Sequence, residues 1–189
     1  MLWERRGNTV YSSVEEAILS MSGQTEDELL HPPTFQPSGI PGIVEAGRII
    51  FRARSAGRHA YIVGDYDADG ITSTAILSRL FKFLHIEHTT IIPKRLSDGY
   101  GVSECHVAGI QDSLIVTVDN GIAAGEILDK AAGRNNLIVV IDHHLPGEGV
   151  PASADVIIDP HMFPSACGFN DYCGAGLAYK LACHMLHGV

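Results

Sequence analysis

The chain has 189 residues, of which 46% are hydrophobic, and a formal net charge of −9 at pH 7. This length is enough to bury one proper core, as one domain or as one domain with a small appendage. The acidic charge argues against a surface that is basic throughout, although it leaves room for a local basic groove. No apolar run approaches the ~18 residues that a membrane-spanning helix requires. Four cysteines and the absence of a charged-then-apolar leader favour a cytoplasmic protein without a disulfide framework or a membrane partner.

Residues 1–58 are predicted to form a helical lead-in rather than part of a sheet. Residues 13–16 are typical of a helix start, residues 31–41 form a proline-punctuated loop, and residues 42–56 have the apolar spacing of a helix. Four arginines of this region fit a solvated helix face better than a phosphate-binding patch: Arg48, Arg52, Arg54 and Arg58.

From residue 59 onward, predicted strands and helices alternate. Because short βαβ crossovers join parallel strands, this pattern predicts an α/β fold with a mostly parallel, five-stranded, Rossmann-like sheet flanked by helices. A dinucleotide-binding domain is disfavoured, since no Gly-x-Gly-x-x-Gly turn follows the first strand. The predicted strands are residues 61–63, 89–92, 114–118, 137–141 and 154–160. Helices are predicted over residues 72–84, 103–110 and 177–186. A further helix is predicted to follow residue 122 and to end near residue 132.

Potential metal ligands follow three of these strands. Asp65, Asp67 and Asp69 come after the first strand, Asp119 after the third and His143 after the fourth. The carboxyl ends of parallel strands meet at one edge, so these side chains are expected to converge there. Clustered carboxylates repel one another and need a compensating charge, for which Mg²⁺ or Mn²⁺ is the simplest source. With an imidazole they suit a two-metal centre, and Asp119, between the other groups, is the predicted bridging ligand.

Other interpretations of these motifs stay open. The acidic turn could be a solvated loop in which Asp69 or Thr72 caps the next helix, and the glycine-rich loop at residues 93–103 could be a simple turn rather than a phosphate cradle. A Ca²⁺ loop of the EF-hand type lacks its glycine and distal glutamate here. Asp159 is a weaker ligand candidate, because Asp-Pro commonly opens a turn. Zinc at Cys167 and Cys173 is disfavoured by their spacing.

The sequence resembles the DHH phosphoesterase superfamily and, more closely, its RecJ-type single-strand-specific exonucleases. Four blocks carry the resemblance, at residues 64–73, 95–101, 118–122 and 141–147, and the block at residues 173–181 adds to it. Together the resemblance covers residues 31–187.

The resemblance assigns roles to individual residues. It implies that Asp67, Asp69, Asp119 and His143 bind the metal ions. Many superfamily members have a histidine where this chain has Val63, and Asp65 is expected to serve instead. The resemblance further implies that Asp142 orients the histidine pair, that His144 and Arg95 face the scissile phosphate, and that Ser97 and Gly99 help to bind substrate.

The function implied by the resemblance is that of a Mn²⁺- or Mg²⁺-dependent nuclease. Such an enzyme degrades single-stranded DNA from the 5′ end in repair and recombination, with a helicase or a single-strand-binding protein as candidate partners. The family architecture implies that residues 59–189 are a DHH domain incomplete at its carboxyl end, with the DHHA1 and oligonucleotide-binding domains lying beyond an amino-terminal fragment. Two alternatives are a DHH phosphodiesterase acting on oligoribonucleotides or cyclic dinucleotides, and a non-catalytic binding protein.

Overall fold

The computed structural model describes residues 9–31, 35–94 and 101–187. The chain divides into two compact units, residues 1–34 and residues 35–189. The α-helices in the described part are α1 (Val14–Ser22), α2 (Glu26–Leu30), α3 (Ile43–Ser55), α4 (Ala68–Phe83), α5 (Glu104–Val107), α6 (Gly125–Ala132) and α7 (Gly174–His187). The strands are β1 (Ala60–Val63), β2 (His88–Ile91), β3 (Leu114–Val118), β4 (Leu137–Ile141) and β5 (Val156–Ile158), and short 3₁₀ helices span Pro37–Gly39 and Pro160–Met162.

The first unit contains helices α1 and α2. Ser13 caps α1 by accepting a hydrogen bond from the Glu16 N–H at 3.1 Å, which confirms the predicted helix start. Thr25 and Glu28 form a reciprocal capping box at the start of α2. Neither helix buries a residue, so these caps carry much of what stabilises them locally.

In the second unit, the five strands form one sheet in the order β2-β1-β3-β4-β5, and every pairing is parallel. The predicted α/β sheet is therefore confirmed. Val63 pairs with Thr117 and Val118 with Ile141, so β1, β3 and β4 end at nearly the same level. The chain winds to one side from β1 to β2 and to the other from β3 onward. Ligand sites of open α/β sheets form at such a switch point, outside the carboxyl ends of the strands.

Apolar residues cover both faces of this sheet. On one face, α3, α4 and α7 pack over strand residues such as Ile62, Val116 and Ile141. On the other face, α5 and α6 pack over Ile115 and Val140. Strands buried on both faces explain the near-continuous apolar runs of the sequence. Because α3 belongs to this core, the lead-in predicted over residues 1–58 is divided between the two units.

Two helices begin earlier than their apolar spacing predicts. Helix α4 starts at Ala68 because Asp67 is its N-cap, accepting a hydrogen bond from the Gly70 N–H at 2.9 Å. The suggestion that Asp69 or Thr72 caps this helix is therefore wrong, and the Thr72 hydroxyl instead donates to the Ala68 carbonyl at 2.6 Å. Helix α7 starts at Gly174, ahead of its first large apolar residue. Among the described helices, none has the length and apolar character needed to cross a membrane.

The arginines of the lead-in engage partners on the surface of the second unit. Arg48 pairs with Glu45 at 3.2 Å, and Arg52 lies 3.6 Å from Asp155. The Arg58 guanidinium donates to the Asn135 carbonyl at 2.6 Å. These contacts fit the solvated helix face expected from the sequence.

Candidate metal centre

The loop between β1 and α4 and the first turn of α4 place three carboxylates at the edge of the sheet: Asp65, Asp67 and Asp69. Asp65 is only 1% exposed, and its Oδ1 accepts a hydrogen bond from the Tyr66 N–H at 2.7 Å. Gly70 lies against it so closely that an added Cβ would be 2.6 Å from the Asp65 Cβ. Burial raises the pKa of Asp65, although the Tyr66 hydrogen bond opposes the shift. The tight turn thus holds an acidic group in a position where ionisation is costly.

Asp119 follows β3 in a strained backbone conformation. Its φ of 61° lies in the left-handed region, which non-glycine residues rarely adopt, and its N–H donates to the Ile141 carbonyl at 2.9 Å. The neighbouring Asn120 donates through Nδ2 to the Val63 and Val118 carbonyls, at 3.2 and 3.0 Å, and so ties the ends of β1 and β3 together. These bonds fix the turn that presents Asp119 towards the carboxylates after β1.

Asp142, at the end of β4, orders the turn that carries the two histidines. Its Oδ2 accepts from the Ile122 N–H at 2.9 Å, and its Oδ1 accepts from the His143 and His144 N–H groups at 2.8 and 3.2 Å. The same Oδ1 lies 2.7 Å from His144 Nδ1. Burial alone would raise the pKa of Asp142, but the His144 and backbone hydrogen bonds outweigh it and lower the pKa. Asp142 is thus an ionised carboxylate whose hydrogen bonds set the position of the histidine pair.

The hydrogen bond to Asp142 also determines the charge of His144. It raises the pKa of His144 to about 9, against the opposing effect of burial. His144 is therefore an imidazolium near neutral pH in the metal-free protein. Its ring lies beside that of His143, with centroids 4.6 Å apart.

Two groups of potential ligands meet at Asp119. Ligand atoms of Asp65, Asp67 and Asp119 all lie within 4.8 Å of one another, as do those of Asp119, His143 and His144. Residues from the ends of three strands therefore converge as the sequence predicts, and Asp119 is common to both groups. His144 belongs to the second group as well, whereas the sequence analysis gave it only a contact with phosphate.

The donor set fits a divalent cation. Burial raises the pKa of Asp119 to about 8, and the charges of Asp69 and Asp67 add to the shift. His143 Nε2 lies 3.1 Å from Asp119 Oδ1 but is not aligned as a hydrogen bond, so this buried oxygen has no hydrogen-bond partner among the described residues. A buried, unpartnered carboxylate oxygen facing other carboxylates is a place where a cation replaces an unfavourable proton. Carboxylate oxygens with one or two imidazoles suit Mn²⁺ or Mg²⁺.

Asp69 differs from the other predicted ligands, since it belongs to neither group. Its two carboxylate oxygens accept hydrogen bonds from the backbone N–H groups of Gly174 and Ala175, at 2.7 and 2.8 Å. It still borders the centre, because His143 Nε2 lies 3.5 Å from Asp69 Oδ2. Sequence reasoning missed this contact with α7, although the Gly-Ala-Gly run at residues 174–176 was a visible signal of close packing.

The remaining candidates lie elsewhere or outside the described residues. Arg95, Ser97 and Gly99 fall within residues 95–100, which the structure does not describe. Asp159 caps the 3₁₀ helix after β5, and its Oδ1 accepts from the His161 N–H at 2.9 Å. The groups of metal-ligating side chains found within the described ranges do not include Asp159, Cys167 or Cys173.

Comparison with known proteins decides the family. The model of the DHH family, N-terminal domain, matches residues 59–188. The chain belongs to the DHH family. It is 40% identical over 146 residues to the single-stranded-DNA-specific exonuclease RecJ of Dickeya dadantii, and 38% identical over 152 residues to that of Escherichia coli. Each alignment covers 75% of this chain and 25% of the relative, so the chain spans about a quarter of the length of these curated relatives.

A solved structure agrees with this family assignment. A crystal structure of exonuclease RecJ bound to manganese superposes with a TM-score of 0.70 at 32% identity, covering 79% of this chain and 38% of that one. The resemblance to RecJ-type proteins is therefore confirmed for the fold and for the DHH region of the sequence.

Proposed function

We propose that the chain is the metal-binding part of a phosphodiester hydrolase that degrades single-stranded DNA from the 5′ end. The observation that carries this proposal is the position of Asp119, which is common to two groups of metal-ligating side chains. Its buried Oδ1 has no hydrogen-bond partner in the part of the chain that the structure describes. Its similarity to single-stranded-DNA-specific exonucleases supports the substrate class. Repair and recombination are the processes in which we propose that it acts.

Two divalent ions, Mn²⁺ or Mg²⁺, are the proposed cofactors. Asp65, Asp67, Asp69, Asp119 and His143 would hold them, with Asp119 as the proposed shared ligand. Bound ions of this kind neutralise phosphate charge and lower the pKa of a bound water, so that hydroxide is available near neutral pH. Asp119 must lose its proton to serve as a ligand, since its pKa in the metal-free protein is about 8.

The Asp142–His144 pair supplies a fixed positive charge on the substrate side. In the metal-free protein a pKa of about 9 leaves His144 protonated near neutral pH, and the Asp142 carboxylate holds its Nδ1. An imidazolium fixed in this way stabilises charge on the non-bridging oxygens of a phosphodiester. We propose the same role for Arg95, with Ser97 and Gly99 as substrate contacts. Asp142 acts through His144 and is a positioning residue.

The proposal also covers the substrate, the protein partner and the domain bounds of the chain. Single-stranded DNA is the proposed substrate, and a helicase or a single-strand-binding protein is the proposed protein partner. Residues 59–189 are proposed as the DHH domain, preceded by the lead-in at residues 1–58. The cytoplasmic location expected from composition stays a prediction.

A nuclease assay with strand-specific labels tests the function. With Mn²⁺, the 189-residue chain should release labelled mononucleotide from 5′-labelled single-stranded DNA before label appears from 3′-labelled DNA, and Asp119→Ala should abolish the release. An RNA oligonucleotide of the same sequence separates the exonuclease from an oligoribonucleotide phosphodiesterase. Preference for RNA would refute the DNA assignment. Undiminished cleavage by Asp119→Ala would refute the hydrolase proposal.

A further inference from the structure

The amino-terminal turn of α7 contacts the metal centre directly. Asp69 accepts hydrogen bonds from two consecutive backbone N–H groups, Gly174 to Oδ2 at 2.7 Å and Ala175 to Oδ1 at 2.8 Å. Asp69 lies at the start of α4, more than a hundred residues earlier in the chain, so this is a tertiary contact rather than a local helix cap. A carboxylate at the amino terminus of a 14-residue helix is stabilised by these charge-assisted bonds and by the positive end of the helix dipole.

Because Gly174 has no side chain, Asp119 can pack directly against its Cα. A Cβ added at Gly174 would lie 2.7 Å from the Asp119 Cβ and 2.8 Å from its Oδ1. The Asp119 Cβ is fixed to a buried, left-handed backbone and cannot move aside as the end of a long side chain would. Only a residue without a side chain allows α7 to approach the carboxyl end of β3 this closely.

Asp69, in the first turn of α4, and Asp119, after β3, both lie against the first turn of α7. His143 Nε2 lies between them, 3.5 Å from Asp69 Oδ2 and 3.1 Å from Asp119 Oδ1. Both carboxylates face the same imidazole nitrogen, and like charges this close repel each other in the absence of a cation. Each carboxylate oxygen has two lone pairs, so an oxygen that accepts one N–H keeps the capacity to bind an ion.

We propose that the first turn of α7 positions two metal ligands, Asp69 and Asp119. The Gly174 and Ala175 N–H groups orient Asp69 by hydrogen bonds, and the absence of a side chain at Gly174 leaves room for Asp119. Gly174 is thus a positioning residue of the metal centre. The inference rests on the metal binding in the proposed function and adds an element to it. In known metal sites, loss of a group that orients a ligand lowers metal affinity about 10- to 100-fold.

A matched pair of glycine substitutions in the same helical turn tests this role. Both Gly174→Ala and Gly176→Ala exchange glycine for a better helix former. At Gly176 the nearest atoms to an added Cβ are Tyr172 Cδ1 at 3.5 Å and Cys173 Sγ at 3.6 Å, which are ordinary contacts. By titration calorimetry, Gly174→Ala should bind Mn²⁺ about 10- to 100-fold more weakly than the parent chain. Gly176→Ala should bind it as the parent does.

Thermal unfolding of each variant without metal separates positioning from a purely structural effect. The overlap with Asp119 should lower the metal-free melting temperature of Gly174→Ala below that of Gly176→Ala. Positioning predicts that Gly174→Ala also loses most of the Mn²⁺-induced rise, which Gly176→Ala keeps. If Gly174→Ala does not fold, Ala175→Pro provides the test, because proline is tolerated in the first turn of a helix and removes the N–H that reaches Asp69 Oδ1. Its Mn²⁺ affinity should fall in the same way, with α7 retained by circular dichroism.

The outcomes distinguish this inference from the proposed function. If Asp119→Ala loses Mn²⁺ binding while a folded Gly174→Ala or Ala175→Pro binds Mn²⁺ as the parent does, the positioning role of α7 is wrong and the metal centre stands. If the parent chain binds no Mn²⁺, both are wrong.

Discussion

The Nδ1 atom of His144 lies 2.7 Å from Oδ1 of Asp142, and this one contact fixes both the orientation and the charge of the histidine. Asp142 is 1% exposed, and its other oxygen is bound by the Ile122 N–H. The carboxylate therefore cannot turn away from the ring without losing several hydrogen bonds. In the metal-free protein, a buried acid at the end of β4 thus holds His144 as an imidazolium near neutral pH.

Replacing Asp142 by asparagine should lower the pKa of His144 from about 9 towards its ordinary value of 6.5. The neutral amide removes both the charge-assisted hydrogen bond and the favourable charge. Titration of His144 by NMR in the metal-free protein would measure this shift. Asp171→Asn, at an exposed position, is the control and should leave the His144 pKa near 9. An unchanged pKa in Asp142→Asn would contradict the role of this contact.

The stability of the metal-free protein should fall as the pH rises, in part because of Asp119. Its folded-state pKa of about 8 is above the ordinary value of 3.8, so the folded state holds a proton that the unfolded state has released. The stability that this group contributes is complete below about pH 4 and is lost as the pH rises through about 8. His144 acts in the same direction, losing its contribution between about 6.5 and 9.

Asp119→Asn should remove the Asp119 part of this pH dependence. Thermal unfolding in the presence of a chelator, from about pH 4 to about pH 9, should show a smaller decline for Asp119→Asn than for the parent. Near the upper end of this range the variant should also melt at a higher temperature than the parent, because the parent pays the cost of ionising the buried Asp119 carboxyl group. Parallel curves for the two proteins would show that Asp119 has an ordinary pKa.

Asn120→Ala should affect both stability and the metal centre. Loss of the hydrogen bonds to the Val63 and Val118 carbonyls should lower the free energy of unfolding by about 1–3 kcal/mol, measured by chemical denaturation. Asn136 makes comparable buried bonds to the Ile110 and Ala131 carbonyls, away from the ligand groups. Asn136→Ala should therefore lower stability alone, whereas Asn120→Ala should also weaken Mn²⁺ binding. Equal Mn²⁺ affinities in the two variants would contradict the role given to Asn120.

Helix α4 should show a strong contrast between its buried and exposed phenylalanines. Phe81 is completely buried, and Phe83 is 68% exposed. Phe81→Ala should lower the free energy of unfolding by about 3–5 kcal/mol, since it leaves a cavity in the core beneath α4. Phe83→Ala should change it by less than about 0.5 kcal/mol. Similar losses of stability in the two variants would contradict the burial of Phe81 and the exposure of Phe83.

The fold and most of the centre could be predicted because their signals are local. Apolar runs such as residues 114–118 and 137–141 mark strands buried on both faces, and parallel connections bring Asp119 and His143 to the edge where Asp67 lies. The residue that caps α4 could not be selected from the sequence, because Asp67, Asp69 and Thr72 all suit a cap. Only the turn geometry selects Asp67.

The contact between Asp69 and α7 could not be predicted because it depends on tertiary packing. Helix α7 is brought to Asp69 by its own apolar residues, among them Leu177 and Leu181, which pack with α4 over the sheet. Sequence spacing gives no measure of the distance between Gly174 and Asp119. The strand order, with β1 beside β3, likewise follows from the completed sheet rather than from any single motif.

Calorimetric titration of the chain and of Asp119→Ala with Mn²⁺ tests whether Asp119 is shared by two bound ions. If Asp119 lies between two ions, the parent chain should bind two Mn²⁺ and the variant should lose the binding of both. Asp159→Ala, outside both ligand groups, is the control and should retain the parent's stoichiometry. Two ions bound by Asp119→Ala with the affinity of the parent would contradict the account of this centre.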